Sequence, residues 1–415
     1  MQDSVLLRHA DHYLGAALCA GTSLVRSVVA RSSSVAPMRK ILLIELFEMG
    51  AAVMLVPSIR HIREAYPDAE IHCLTTGSCV PIWKSIQMIE PERLHMVDAD
   101  SAASFIGSVL KNILRLRREK FDLVIDYELF MRLPALISGA LRAKARAGFY
   151  RYDYEGLYRG NFYDHICGYN QNSHISKNFL ALTKTALAGA SDSPNYKAAI
   201  ALEEIRVQPV MGRPPAEKLE SLIGSSGRGQ PRYFVVCPDV GKTLPMRNYP
   251  RASFSELINI LLERNPQHRV VMIGTQAERP ASEAVLAGVK KKGACVNLCG
   301  KTTFSELMDV IAGADLVITN DNGPAHFATL TGTKCLVLFS TDSPFVYGPL
   351  GDAVIAYSHY QCSPCISAFN HKVSRCDNNR CLQAIAPEAL AQIAETLLNG
   401  SARLRSVNNV YSYVL

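Results

Sequence analysis

The chain has 415 residues, 48% hydrophobic and 20% charged, with Lys+Arg 44 against Asp+Glu 37 for a net charge of +7. That is ordinary globular composition, which excludes a disordered chain, a collagen and a mostly membrane-embedded protein, and the length suggests about two or three domains. The small basic excess suits anionic small substrates or a membrane surface and is weak evidence for nucleic acid, so no nucleic-acid partner is expected. Twelve cysteines are too sparse for a disulfide scaffold, and most stand singly in apolar runs, which fits a reducing cytoplasm.

In chain order, the first feature is the apolar run Tyr13 to Val25, flanked by Arg8 and Arg26. It is short of the roughly 20 residues that span a bilayer. It reads as a helix lying on a membrane or on the protein's own surface; a signal peptide and a disordered leader are the alternatives. SSSVAP, Ser32 to Pro37, then reads as a linker, so residues 1–38 are expected to form a separate N-terminal segment.

From residue 39 short β-rich runs alternate with helical stretches. KILLI (40–44), AEIHCLT (69–75) and FDLVID (121–126) read as buried strands. GAAVMLVPSIRHIREAYP holds a helix that stops near Pro67, and Val109, Ile113 and Leu116 recur near helical spacing. A second series follows the Gly-rich stretch SSGRGQPR (225–232), with strands YFVVC, RVVMIG, VNL, DLVIT and KCLVLF. Thr303 and Glu306 form a capping box that opens a helix. The expectation is two α/β units, each a doubly wound parallel sheet, facing a cleft, with boundaries 39–228 and 229–415.

The densest chemistry lies between Asp315 and Pro349. A strand ends at Thr319, and NDNGPAH follows at the carboxyl edge, where open α/β sheets bind ligands. Pro324 suits a first helical position, and Gly323 lets a ligand approach the backbone. The helix start is therefore a diphosphate site, or simply a turn and its cap. Asp321 would repel phosphate and suits sugar hydroxyls or capping instead. After YFVVC, the loop with Lys242, Thr243 and Arg247 offers two cations and a hydroxyl, and Glu278 follows the next strand, placed for a ribose or for a helix N-terminus.

The combination NDNGPAH, RNYP, TFSELMDVIAGADLVIT and LFSTDSPFVYGP resembles glycosyltransferase family 9, the lipopolysaccharide heptosyltransferases, over about Lys40 to Leu398. KILLIELFEMGAAVMLVPSIRHIREAYPDAEIHCLT resembles that family's opening strand, loop and helix. The resemblance implies a GT-B fold, an ADP-sugar donor, inversion at the anomeric carbon, no required cofactor and an anionic glycolipid or lipopolysaccharide acceptor at the inner membrane. It implies further that Asp321 and His326 contact the donor sugar or diphosphate, that Asn322 and Gly323 offer backbone to the diphosphate, and that Thr243 and Arg247 bind its charge. Glu278 would then hold the ribose.

One position departs from the family. Where its loop reads Met-Gly-Asp and supplies the general base, this chain has Met49-Gly50-Ala51. Alanine cannot accept a proton. Glu48 is the nearest substitute and Glu128, after FDLVID, the next; a site that has lost catalysis is the third reading, and an epimerase of the same fold a weaker one. Lys111, Arg115 and Arg118 share one side of a helix and could meet an anionic acceptor, or form a solvated face. Cys362, Cys365, Cys376 and Cys381 could hold a structural zinc, pair as disulfides or remain free thiols; no catalytic metal is expected.

Overall fold

The computed structural model describes residues 5–27, 38–150, 158–188, 196–224, 229–241, 244–367, 374–400 and 411–414. Two compact units result, Met1–Ile205 and Arg206–Leu415.

Unit 1 begins with helix α1 (Val5–Ser27) and continues β1 (Lys40–Ile44), α2 (Met49–Ala65), β2 (Glu70–Thr76), α3 (Val80–Ile86), β3 (Leu94–Val97), α4 (Ala102–Leu116), β4 (Phe121–Asp126), α5 (Leu133–Ala140), β5 (Ala143–Tyr150), β6 (His165–Gly168), α6 (Ile175–Ala188) and α7 (Leu202–Ile205). Its six strands are all parallel, in the order β3-β2-β1-β4-β5-β6. The β1 run is apolar throughout because both faces of a central parallel strand are covered. Leu42 and Ile44 point to α4 and α5, joining Phe105, Val109, Leu116, Ile137 and Leu141 in one core. On the other face α2 and α6 pack together, and the Ser176 hydroxyl donates to the Met54 carbonyl (2.7 Å).

The N-terminal helix is not a separate segment. The Asp11 carboxylate accepts the amides of Arg132 (2.9 Å) and Leu133 (3.1 Å), capping α5 from outside, while Cys19 is buried with Ala135, Phe162 and Tyr163. One face of α1 therefore packs on the protein's own surface. The other face leaves Tyr13, Leu14, Leu18, Leu24 and Val25 exposed.

Unit 2 comprises α8 (Ala216–Ile223), β7 (Tyr233–Cys237), α9 (Arg251–Arg264), β8 (Arg269–Met272), α10 (Arg279–Ala287), β9 (Cys295–Asn297), α11 (Phe304–Ala312), β10 (Leu316–Asn320), α12 (Gly323–Thr331), β11 (Cys335–Leu338), α13 (Pro344–Tyr347), β12 (Ala353–Tyr357), α14 (Arg380–Gln383), α15 (Pro387–Leu398) and β13 (Tyr411–Val414). Sheet order is β13-β12-β11-β10-β7-β8-β9, parallel except for β13. Setting that antiparallel edge strand aside, the order repeats unit 1. The expected capping box is present: Thr303 Oγ1 accepts the Glu306 amide (3.3 Å) and Glu306 Oε2 the Thr303 amide (2.7 Å).

The division falls at Ile205/Arg206 and not at the Gly-rich stretch near 228. Residues 206–224 already belong to the second core. The Val210 amide donates to the Leu330 carbonyl (2.8 Å), and Leu219 is fully buried against Gly313, where a Cβ would stand 2.6 Å from its methyl carbon.

Candidate active site

In an open α/β sheet of this order, ligands bind beyond the carboxyl ends of the strands, where the winding reverses. That point lies between β1 and β4 in unit 1 and between β7 and β10 in unit 2. The two places carry quite different side chains.

At the unit 1 edge three carboxyls crowd together. Glu45 follows β1 and is 3% exposed. Asp126 ends β4, fully buried, in an ion pair with Arg159 and accepting the Tyr163 hydroxyl (2.6 Å). Gly148 makes room for that tyrosine: a Cβ there would stand 2.5 Å from its ring. Glu128, two residues on, accepts the Leu46 amide through Oε1 (2.8 Å). Burial chiefly, with Asp126 and Glu48 nearby, pushes the Glu128 carboxyl up to about 7. Burial also drives Glu45 well above the carboxylate range, reinforced by Glu128.

The two sequence-expected bases separate at this point. Glu48 is the N-cap residue of α2, in extended backbone, with its side chain on the solvent side and no capping bond from it. Glu128 is half-buried at the carboxyl edge itself. Of the two, Glu128 is the more enclosed. Glu45 was not singled out from sequence because a carboxylate after an apolar run reads as a loop residue; only its burial distinguishes it.

A pH effect follows from Glu128. Its folded value lies above the ordinary 4.5, so between about 4.5 and 7 the folded state retains a proton that the unfolded chain releases. The group favours folding fully below 4.5 and loses that contribution as pH rises through about 7. Urea midpoints of the parent should therefore fall relative to Glu128→Gln across this window, and a constant difference would contradict the shift.

At the unit 2 edge, Asn322 is anchored by its side chain, whose amide donates to the Asp239 carbonyl (3.2 Å) and whose oxygen accepts the Thr319 hydroxyl (2.7 Å). Asn320 ties the β7 exit to the same place, accepting the Tyr249 amide (3.1 Å) and donating to the Pro238 carbonyl (3.0 Å). These bonds fix the start of α12, which has Pro324 in its first turn and no side-chain cap from Asn322. Such a helix start presents positive potential and backbone amides to an anion. Asp321 and His326 are both buried beside it.

Arg247 differs from expectation. Its guanidinium is paired with Asp342, lies 3.6 Å from Asp321 Oδ2 and donates to the Thr341 hydroxyl (3.2 Å). It serves two protein carboxylates first, so the cation read from sequence is a structural cross-link of the β7 loop to the ends of β10 and β11. Glu278 likewise caps its own turn, accepting the Thr275 amide through Oε2 (2.6 Å); Oε1 faces Gly241, 3.6 Å from where a Cβ would stand. Thr243, with Lys242, lies outside the described residues.

Lys111, Arg115 and Arg118 are exposed, as helical spacing requires. They belong to the last turns of α4 and the bend after it, which lead into the amino end of β4, so they stand at the opposite edge of the sheet from Glu45 and Glu128. An acceptor at the carboxylate cluster would not meet them. No disulfide joins Cys362, Cys365, Cys376 and Cys381, and among the described residues no group of three or more His, Cys, Asp or Glu is arranged to hold a metal.

The sequence model for glycosyltransferase family 9 (heptosyltransferase) matches residues 109–373. The chain is 24% identical over 355 residues to lipopolysaccharide heptosyltransferase 3 of Escherichia coli, covering 84% of this chain and 95% of that protein. With lipooligosaccharide heptosyltransferase 2 of Haemophilus influenzae it shares 26% identity over 175 residues, 42% of this chain and only 48% of the relative. Among solved structures, the E. coli ADP-heptose lps heptosyltransferase II superposes with a TM-score of 0.65 at 18% identity, covering 88% of this chain and 100% of that one. That likeness establishes the GT-B fold, and with the family match spanning well over half of the sequence, this chain belongs to glycosyltransferase family 9.

Proposed function

We propose that the chain is an inverting glycosyltransferase moving a sugar, a heptose, from an ADP-sugar to a lipopolysaccharide core or related cell-surface glycan. The observation that supports it most is the division of chemistry between the two switch points: an anion-receiving helix start in unit 2, and a half-buried carboxyl with a near-neutral pKa in unit 1. The donor diphosphate would lie against Asn322 and Gly323, with Asp321 and His326 toward the sugar and Thr243 beside the diphosphate. Glu278, through its remaining oxygen, would accept from the ribose.

In the transfer, an acceptor hydroxyl attacks the anomeric carbon as its proton passes to Glu128. The new C–O bond forms while the bond from that carbon to the diphosphate oxygen breaks, and ADP leaves with the electron pair. The α12 start stabilises the departing charge without requiring a metal. The deciding experiment supplies ADP-heptose with a heptose-deficient lipopolysaccharide acceptor and follows ADP release and acceptor mass. ADP-heptose binding without release in any acceptor's presence would favour a binding protein that lost catalysis; acceptor-independent conversion of the sugar would favour an epimerase.

The acceptor's lipid places the enzyme at the cytoplasmic face of the inner membrane, as a peripheral protein. Among the described residues no helix is long and apolar enough to cross a membrane. Two helices packed against α5 carry exposed apolar rows: Leu14 and Leu18 on α1, and Ile106, Leu110 and Leu114 on α4, the latter beside Lys111, Arg115 and Arg118. An apolar stripe edged by cations suits an anionic lipid surface. Leu110→Glu/Leu114→Glu should lower co-sedimentation with phosphatidylglycerol vesicles about tenfold or more, as each leucine contributes ~1.5 kcal/mol or more when buried. Truncating α1 is a poorer test, since Asp11 and Cys19 belong to the unit 1 core. Parent protein that ignores such vesicles would end the idea.

A further inference from the structure

Glu45 has no part in the transfer described above, yet its environment is the most demanding of any acidic residue at the unit 1 edge. One carboxyl oxygen accepts the Glu48 amide (3.2 Å); the other, Oε2, is buried with no hydrogen-bond partner among the described residues. Glu45 makes no ion pair among them either; the buried guanidinium of Arg159 pairs with Asp126 and donates through Nε to the Met131 carbonyl (2.8 Å). The titratable groups facing it are all acids: Glu48 from its own loop, Glu128 from beyond β4, and the thiols of Cys73 on β2 and Cys79 ahead of α3, both raised by burial and by Glu45 itself. A charge here would be desolvated, uncompensated and beside a second carboxylate, an arrangement in which two carboxyls do not both ionise. In the acid form Oε2 bears a proton, and the desolvated charge that nothing there compensates disappears.

The loop geometry links this residue to the base. The same short stretch, Glu45 to Glu48, is fastened at one end by Glu45 Oε1 on the Glu48 amide and presents its Leu46 amide to Glu128 Oε1.

We propose that Glu45 and Glu128 form a carboxyl pair holding one proton at neutral pH, with the proton on Glu45, which thereby acts as a positioning residue that keeps Glu128 available to take the acceptor's proton. The proposal rests on the reading of Glu128 as base, but the proton count does not depend on turnover. It is the coupled-pair behaviour in which two macroscopic steps belong to both groups together.

The test is a titration of full-length protein labelled with 13C-carboxyl glutamate, following protonated-carboxyl bands by difference infrared spectroscopy. The parent should retain one buried protonated glutamate after the step near pH 7 is complete. Glu45→Gln should lose that band and keep the step. Glu128→Gln should lose the step and shift the remaining band's titration down by about one pH unit or more, because the opposing charge is gone. A residue that merely packs would leave the second titration where it was. The parent spectrum alone decides the main point, so a variant that does not fold leaves the test intact. A parent with every glutamate ionised just above neutrality, or a Glu128→Gln protein with an unmoved band, would overturn the pair. A pair that behaves as described in a protein without transferase activity would leave it standing and remove the function proposed above.

Discussion

Replacing Glu128 with glutamine is expected to lower turnover by roughly 10²–10⁴, the range a positioned general base contributes. ADP affinity should stay near that of the parent, because the residues assigned to the diphosphate all belong to unit 2. The size of the effect follows from two features. An inverting transfer must remove the acceptor's proton as the oxygen attacks, and Ala51 offers nothing to accept it. Burial pushes the Glu128 carboxyl up to about 7, and near neutral pH such a group would be both substantially ionised and basic enough to serve as a base. The rate should therefore fall as pH drops through about 7, since protonation removes the base, and Glu128→Gln should lose that limb altogether. Glu48→Gln is the control. If it abolished turnover while Glu128→Gln remained active, the exposed residue at the α2 N-cap would be the base, and the loop would have to close over it.

Much of this arrangement was legible in the sequence wherever the cause is local. KILLI, FDLVID and YFVVC show as strands because a central parallel strand is buried on both faces and must be apolar throughout. Thr303 and Glu306 show as a helix start because a capping box is a contact between residues three apart. NDNGP marks the edge of the second sheet for the same reason. Contacts between distant residues left no such trace. Asp126, Arg159 and Tyr163 are brought together by the neighbouring of β4, β5 and β6, and nothing in their spacing announces it. Glu45 looked like any acid after a strand until its burial was known. The Gly-rich stretch near 228 had the composition of a linker, yet Leu219 had already committed the preceding helix to the second core. For Lys111, Arg115 and Arg118 the signal was available and unused: a helix that leads into a parallel strand ends at that strand's amino edge, away from the ligand.

Arg247→Ala is the second large expected effect, and it changes stability before it changes binding. From sequence, Arg247 is a loop cation whose loss would weaken nucleotide binding in an intact protein. In the structure its side chain is 18% exposed and its partner Asp342 only 1%. Removing the guanidinium takes the ion pair from the buried Asp342 carboxylate and the positive charge 3.6 Å away from Asp321, a change that typically costs about 3–5 kcal/mol. Denaturant unfolding of the full chain should show the loss directly, with unit 2 melting first. Removing the carboxylate as well should recover a good part of it in Arg247→Met/Asp342→Leu, since an apolar pair of similar volume does not leave a charge stranded. An Arg247→Ala protein as stable as the parent would mean that the pair contributes little, and the residue would return to the role its sequence suggests. The distinction matters for the donor site because one guanidinium set against two carboxylates leaves no positive surplus for a diphosphate. On the function proposed above, the anion would then be held mainly by the amides at the start of α12, with the arginine fixing the loops around them. Arg247→Lys separates the two effects: it keeps the charge near Asp342 but cannot reach Thr341 and both carboxylates through one planar fork. It should retain more stability than alanine while still loosening the loops around the proposed ADP site.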